Sequence, residues 1–318
     1  AESARRGEPL REDEDPSVGE LVRARLGDAV LERLVDPLVG SINAGDSDRL
    51  SVRAAAPQIA AAAARSASLI EGLRAGRGDA DPSAPVFWAL PGGMAALVAA
   101  LESGLRSSGV RFEAAAVASL DEVDADGVVV ATPARSAAQL AGGTAATALR
   151  SIGHASPVLV TLAFGRDAVR HPLDGSGLLV PRAEGRLLTA CSFATTKWAH
   201  LGAGDPSTVL LRASAGRYGD DRAIESDDDV VVTGLLSDLD ELLGLDDAPV
   251  EVRVSRWREG FPQYEPGHLR RVATIEADVA ARLPNVAVAG AALHGIGIPA
   301  CIRSGREAAS RIGGGHAA

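Results

Sequence analysis

The spacing of apolar residues predicts helices in the first third of the chain. Ser17 followed by Glu20 is a capping-box pattern ahead of the helical segment LVRARLGDAVLERLV. Pro37 and the turn-rich segment GSINAGDSDR interrupt this helix, and an Ala-rich helical stretch continues to Leu73. After a loop at 76–85, apolar residues recur on one face of a further helix, at Met94, Leu97, Val98, Leu101 and Leu105.

Short apolar and β-branched runs predict strands farther along the chain. VRF at 110–112 predicts a short strand, and ADGVVVATPA predicts a buried one. Between residues 157 and 215, runs divided by Gly, Pro and Asp predict an antiparallel sheet. Helical periodicity returns at 227–245 and 268–283, before the strand VAVAG and a last helix with Pro299 in its first turn. The fold class is therefore α/β, with mixed helices and strands around an inserted antiparallel sheet.

Composition and charge exclude several classes of protein. The 318 residues carry a formal net charge of −10, which argues against nucleic-acid binding because phosphate neutralisation needs a basic surface. The two cysteines and the scattered histidines lack metal-ligand spacing, so no metal is expected, and surface or capping roles are expected for His200 and His268.

No secretory signal or transmembrane segment is predicted. The first residues are polar and charged where a signal peptide needs an apolar core. Residues 286–302 are free of charged side chains, but three glycines and Pro299 interrupt this run. These breaks are typical of a strand, a loop and the start of a helix.

One motif near the end of the sequence indicates a binding site. VAVAG leads through Gly295-x-Gly297-x-x-Ala300 into a helix, so the turn presents free backbone N–H groups and the positive end of a helix dipole. A nicotinamide-binding fingerprint also needs a second strand with an acidic residue about 20 positions later, and none follows here. A nicotinamide site is therefore disfavoured. An ordinary structural turn and a site for an anionic or carbonyl oxygen both stay open.

The same segment resembles the C-terminal flavin-binding segment of the protoporphyrinogen/coproporphyrinogen oxidases, members of the flavin amine-oxidase superfamily. The residues that follow the family's order are Gly295, Gly297, Ile298, Pro299, Cys301, Ile302, Ser304, Gly305 and Arg306. Four further segments resemble family landmarks in the same order: LVDPLVGSINAGDSDRLSVRAAAPQ, LPGGMAALVAAL, SFATTKWAH and FPQYEPGHLRRV. The likeness covers most of residues 17–310 and is greatest to the bacterial, actinobacterial-type enzymes.

This resemblance implies an architecture. We expect the C-terminal part of an FAD-binding Rossmann-like domain, an inserted antiparallel-sheet substrate domain and a helical subdomain. The helical subdomain is expected at 1–85 and the substrate domain at 151–258, with parts of the FAD-binding domain at 86–150 and 259–318. The family's glycine-rich loop for the FAD pyrophosphate and its ribose carboxylate have no counterpart in the sequence, so the N-terminal FAD-binding part is expected to be lacking.

The resemblance also implies cofactor-binding residues. Ile296, Gly297 and Ile298 would approach the flavin with backbone atoms, and Gly297 allows this because it has no Cβ. Val117 falls where a family strand contacts the adenine end of FAD through its backbone; a plain core valine is the alternative. Trp257 stands where the family places an aromatic residue near the flavin, although a lone Trp usually packs in a core. No catalytic side chain is assigned.

The implied function is FAD-dependent oxidation of coproporphyrinogen III to coproporphyrin III in haem biosynthesis, in the cytoplasm. O₂ would accept the electrons, with release of hydrogen peroxide. The implied partners are a porphyrinogen and O₂; peripheral membrane contact stays open, although residues 17–75 show no obvious membrane-inserting apolar surface. The alternatives are protoporphyrinogen IX oxidase, whose substrate has two fewer carboxylates, and a chain without catalytic activity.

Overall fold

The computed structural model describes residues 7–77, 87–202 and 204–313, and the first of these ranges is helical. The predicted capping box opens its first helix: the Ser17 hydroxyl accepts from the Glu20 amide at 3.0 Å, and the Glu20 carboxylate accepts from the Ser17 amide at 2.8 Å. The helices are α1 Val18–Leu26, α2 Asp28–Val30, α3 Asp36–Asn43, α4 Val52–Ala55, α5 Pro57–Arg65 and α6 Leu69–Gly76, with a π-helical turn, Leu31–Val35, between α2 and α3.

These helices close around their own apolar core. Val18, Leu50 and Leu69 are buried at its centre. α5 and α6 pack so closely that a Cβ added at Gly72 would overlap the backbone carbonyl of Ala62. Glycine at this position therefore allows the two helix backbones to approach each other.

The segment from the π-helical turn through α3 leaves one apolar face uncovered. Leu34, Leu38 and Ile42 follow one another at helical spacing, and all three are exposed, Ile42 by 65%. That residues 17–75 lack an obvious membrane-inserting apolar surface stays a prediction, because the exposure of three side chains does not show that they enter a membrane. Within the described ranges, no helix has both the length and the hydropathy needed to cross a membrane.

Helix α7, Ala95–Ser107, has the predicted apolar face but buries none of its residues. Residues 110–117 after it form neither helix nor strand. The strand predicted at 110–112 is therefore wrong. A strand needs a neighbouring strand to satisfy its backbone hydrogen bonds, and a β-branched composition does not supply that neighbour.

A second core surrounds two parallel strands from distant parts of the chain. β1, Val128–Val130, pairs in parallel with β9, Val286–Val288, and Val128 lies opposite Val286. The nearby helices are α8 Ala134–Ala141, α9 Gly143–Arg150, α14 His268–Arg282 and α15 Ile298–Gly313. Side chains of α8, α9 and α14 form one apolar cluster with both strands, while Ala308 of α15 packs on the opposite face. Coverage of both faces is typical of parallel strands.

A five-stranded antiparallel sheet forms the third core. Its strands are β3 Val158–Gly165, β4 Gly177–Leu179, β5 Leu188–Phe193, β6 Thr208–Ala215 and β7 Glu251–Arg256. Their order across the sheet is β4-β5-β6-β3-β7. The short helices α10 Ala194–Lys197, α11 Ala199–Gly202 and α12 Arg222–Glu225 lie in the connections, and α13, Asp228–Leu243, contributes Leu235 and Leu239 to the sheet's core. The predicted α/β class with an inserted antiparallel sheet is confirmed.

A short antiparallel ribbon stands between the sheet and the parallel strands. It consists of β2 His154–Ala155 and β8 Phe261–Pro262. The end of α3 meets this junction, because Gln263 Nε2 donates to the Asn43 carbonyl at 2.9 Å and the Tyr218 amide donates to the Ala44 carbonyl at 2.7 Å. The end of α3 is therefore hydrogen-bonded both to the segment after β8 and to the turn after β6.

Candidate functional site

A cleft of about 320 Å³ opens at the carboxyl ends of β1 and β9. Residues 131–134 after β1 and 290–292 after β9 form one side of it. His154, Trp257 and Gly260 contribute the other side. In open α/β sheets, ligands bind outside the carboxyl ends of parallel strands. The cleft therefore lies where the topology favours a dinucleotide.

The glycine-rich turn leads from this cleft into α15. Gly295 has a φ of +144°, and an added Cβ would collide with the Cβ of Ala300. Only glycine is therefore compatible with this position. Gly297 is different, since an added Cβ would come no closer than 3.8 Å to Pro299 Cδ. The space beside Gly297 is thus left open by the protein rather than filled by it.

The backbone amides at this turn are available to a ligand. Within the described ranges, the amides of Ile296, Gly297 and Ile298 donate to no protein acceptor. The first turn of α15 closes only at Cys301, whose amide donates to the Gly297 carbonyl at 3.0 Å. Free amides at a helix N-terminus suit an oxygen that carries or gains negative charge.

Two buried rings hold the loop that carries this turn. The Tyr264 hydroxyl donates to the Ala291 carbonyl, and His268 Nε2 donates to the Leu293 carbonyl at 2.8 Å. The rings stack with centroids 4.0 Å apart and planes inclined by 20°. The loop between β9 and α15 is therefore fixed before any ligand binds.

Burial determines the protonation of both rings. It lowers the pKa of His268 to about 4, so the imidazole is neutral near pH 7. It raises the pKa of the Tyr264 phenol, which keeps its proton for the carbonyl. The expectation of a surface or capping role for His268 is wrong. The residue begins α14, but its side chain points back into the loop and is fully buried.

The predicted cofactor residues are placed differently from one another. Trp257 is 52% exposed and lines the cleft. Ile296, Gly297 and Ile298 do not line it; they follow the loop residues 290–292 that do. Val117 is 44% exposed in the irregular segment after α7 and does not line the cleft. Val117 is therefore not part of a core formed by the described residues. Its contact with FAD, like those of the other four residues, stays a prediction.

The described residues fit one side of a flavin. The open space at Gly297 admits a flat ring, and the free amides around it can receive the ring's oxygen-bearing edge, which gains negative charge on reduction. Trp257 adds an aromatic surface on the other side of the cleft. A side chain filling the space beside Gly297 would have contradicted this fit.

A second cavity, of about 160 Å³, lies on the other side of the β2–β8 ribbon. Phe261 lines this cavity, whereas the next residue, Pro262, lines the cleft. Arg217, just after β6, also lines it and is only 9% exposed. The burial of Arg217 is not predictable from the sequence, because a lone arginine after a strand carries no pattern that marks it as buried.

Comparison with known proteins agrees with this geometry. Residues 3–313 match the family of flavin containing amine oxidoreductases. The coproporphyrinogen III oxidase of Mycobacterium tuberculosis is 38% identical over 94% of this chain, and the chain spans 66% of that relative's length. The coproporphyrinogen III oxidase of Bacillus subtilis is 31% identical over 93% of the chain and 67% of its own length. Bovine protoporphyrinogen oxidase is 28% identical over 96% of the chain and 70% of its length.

Solved structures show the same fold. A proposed protoporphyrinogen oxidase from Exiguobacterium superposes with a TM-score of 0.80 at 30% identity, covering 95% of this chain and 68% of that one. Cyclohexylamine oxidase from Brevibacterium oxydans gives 0.64 at 16% identity, covering 94% and 68%, which shows a shared fold alone. The family match extends along nearly the whole sequence and includes the glycine-rich turn before α15. The chain belongs to the flavin containing amine oxidoreductase family, with FAD as its cofactor.

Proposed function

We propose that the protein oxidises coproporphyrinogen III to coproporphyrin III in haem biosynthesis. The observation that carries this proposal is the 38% identity, over 94% of the chain, to relatives named coproporphyrinogen III oxidase. Because the chain spans 66% of those relatives, their activity is carried over as a proposal for the whole protein. The net reaction takes six electrons from the substrate and reduces three O₂ to three hydrogen peroxide.

The predicted cofactor-binding residues have distinct roles in this proposal. FAD, when bound, supplies the two-electron acceptor for the porphyrinogen. The amides of Ile296, Gly297 and Ile298 hold the edge of its ring, and Trp257 packs beside it. Val117 meets the adenine end through its backbone. Because the loop after β9 is already fixed, these amides need little reorganisation when the cofactor binds.

The domain limits and the cellular setting belong to the same proposal. The segments 1–85, 86–150, 151–258 and 259–318 are the helical, FAD-binding, substrate and again FAD-binding parts. The protein acts in the cytoplasm. The exposed face formed by Leu34, Leu38 and Ile42 allows peripheral contact with a membrane.

The test compares two porphyrinogens with the full-length protein loaded with FAD. We expect kcat/KM to be higher for coproporphyrinogen III than for protoporphyrinogen IX, with three hydrogen peroxide formed per porphyrin. Equal values, or a preference for protoporphyrinogen IX, would favour the activity named for the bovine relative. A preparation that shows a flavin spectrum but oxidises neither compound would support the alternative of a chain without catalytic activity.

A further inference from the structure

We propose that Arg217 is a substrate-binding residue that holds one propionate carboxylate of the porphyrinogen in the cavity beside the β2–β8 ribbon. This inference rests on the proposed function and adds a residue that recognises the substrate. Among the described residues that line the cavity, Arg217 is the only charged one. The others are Gly40, Ser41, Ala44, Pro157, Leu159, Thr189, Ala190, Ser214, Gly216 and Phe261.

Arg217 lacks an acceptor among the described residues. Within residues 7–77, 87–202 and 204–313, its guanidinium makes no hydrogen bond and no ion pair, although the residue is nine-tenths buried. An arginine carries five N–H donors and stays charged in proteins. Burying such a group without an anion is unfavourable. A ligand carboxylate would supply the missing acceptor.

The carboxylates nearest to Arg217 are already engaged elsewhere. Asp36 accepts from the Ser47 amide at 3.1 Å. Asp220 accepts from Arg222 through both oxygens, at 2.9 Å and 2.8 Å. These acidic groups attract Arg217 from a distance but do not contact it. The cavity end of the arginine therefore stays open to an incoming anion.

The local electrostatics also favour an anion. Burial and the neighbouring Arg182 lower the pKa of Arg217. Both causes disfavour an unpaired cation at this point, and a bound carboxylate would offset both. Arg182 itself donates to the Gly45 carbonyl at 3.1 Å and lies 3.8 Å from a carboxylate oxygen of Asp46. Of these two arginines, Arg217 is thus the one whose guanidinium can still bind a ligand carboxylate.

The walls of the cavity select the kind of anion. Pro157, Leu159 and Phe261 are apolar, whereas the hydroxyls of Ser41 and Thr189 are polar. An inorganic phosphate or sulfate would have to give up its hydration against the apolar wall. A carboxylate on a short alkyl arm matches both parts, because its methylene groups contact the wall while its oxygens meet the guanidinium and a hydroxyl.

The backbone holds Arg217 in place. The Tyr218 amide donates to the Ala44 carbonyl at 2.7 Å, and the Asp220 amide donates to the Arg217 carbonyl at 2.8 Å. Gly216, with a φ of +82°, makes the turn that follows β6. Because the position is fixed in advance, little conformational entropy is lost when a carboxylate binds.

The cavity is also well placed relative to the flavin cleft. Phe261 and Pro262 are consecutive residues of β8, and they line the cavity and the cleft respectively. A macrocycle bound next to the cleft has propionate arms that extend from its rim. One arm reaching past the ribbon would enter the cavity of Arg217.

The experiment measures binding of two porphyrins to the full-length FAD-loaded protein at one fixed detergent concentration. The probes are coproporphyrin III, with free carboxylates, and its tetramethyl ester, and binding is followed by fluorescence anisotropy of the porphyrin. Arg217→Met removes the charge and keeps an apolar chain of similar length. Arg166→Met is the control, because Arg166 directly follows β3, is exposed and does not line the cavity.

We expect Arg217→Met to weaken binding of the free acid by about 10- to 100-fold, the range for a lost charged hydrogen bond, and to leave the ester unchanged. Arg217→Lys should recover part of the loss, and Arg166→Met should lose none. Equal losses for acid and ester, or no loss for either, would overturn the assignment of Arg217. If the wild-type protein binds neither porphyrin, the proposed function fails and this inference fails with it.

Discussion

Tyr264 and His268 stack with their ring centroids 4.0 Å apart, and each holds a different carbonyl of the same loop. The two anchored residues, Ala291 and Leu293, follow β9 and precede the glycine turn. This arrangement favours a neutral imidazole: its Nε2–H donates to the Leu293 carbonyl, whereas a second proton on Nδ1 would be buried without an acceptor within the described chain.

The protonation of His268 makes stability depend on pH. Its pKa is about 4 in the folded chain and 6.5 in the unfolded chain. Above pH 6.5 both states are neutral. Between pH 6.5 and 4 the unfolded chain binds a proton that the folded chain excludes, so the free energy of unfolding falls as the pH falls, by up to about 3 kcal/mol. Urea unfolding at pH 7.5 and 4.5 measures this loss.

His268→Gln is the matched variant for that measurement. It keeps an amide donor near the Leu293 carbonyl but does not titrate in this range. Its stability should therefore fall less than that of the wild type between the two pH values, even if it is lower at pH 7.5. An identical fall in both proteins would assign the pH dependence to other groups.

Gly297→Val should abolish FAD binding in the full-length protein and leave the fold largely intact. The φ of Gly297 is not positive, and an added Cβ meets no protein atom within 3.8 Å, so a side chain there is tolerated by the chain and occupies the space for the flavin. Far-UV circular dichroism reports the fold, and quenching of flavin fluorescence reports FAD affinity.

Gly295→Val provides the contrast. Its positive φ and the nearby Cβ of Ala300 mean that this change strains the turn itself, so both thermal stability and FAD affinity should fall. Near-normal FAD affinity in Gly297→Val would mean that Gly297 is an ordinary turn residue.

Gly72→Ala should destabilise the helical subdomain by about 1–3 kcal/mol, because the added methyl group overlaps the Ala62 carbonyl and forces α5 and α6 apart. Chemical unfolding followed by circular dichroism measures the change. Gly305→Ala in α15 is the control, since a Cβ there meets no atom within 4 Å and helix propensity favours alanine by about 0.5–1 kcal/mol. Similar effects of the two changes would contradict the close packing.

The apolar face formed by the π-helical turn and α3 is expected to contact membranes. Replacing Leu34, Leu38 and Ile42 by serine should reduce co-sedimentation of the full-length protein with lipid vesicles, because these side chains already face solvent and are free to enter the interface. Thermal stability should change little for the same reason. Unchanged vesicle binding would exclude this face as the point of contact.

Local sequence patterns predicted individual helices and strands, whereas strand pairing and side-chain burial depend on contacts between distant segments. The Ser17 capping box and the parallel strand at Val286 follow from neighbouring residues, and both are confirmed. The strand predicted at 110–112 is wrong because its sequence does not specify a partner. The burial of His268 and Arg217 depends on segments far away in the chain. For the same reason the glycine-rich turn could be located from its sequence, whereas the cavity that Arg217 lines could not.

The pairing of Val128 with Val286 has a consequence for the order in which the protein folds. Every strand of the antiparallel sheet is synthesised between these two residues and pairs with other strands of that sheet. The sheet can therefore complete its core while β1 still waits for β9. The β2–β8 ribbon then brings the two ends of the folded sheet together, which shortens the effective loop that β1 and β9 must close. A chain that ends before residue 286 would thus hold the strands of the complete sheet while β1 lacks its parallel partner.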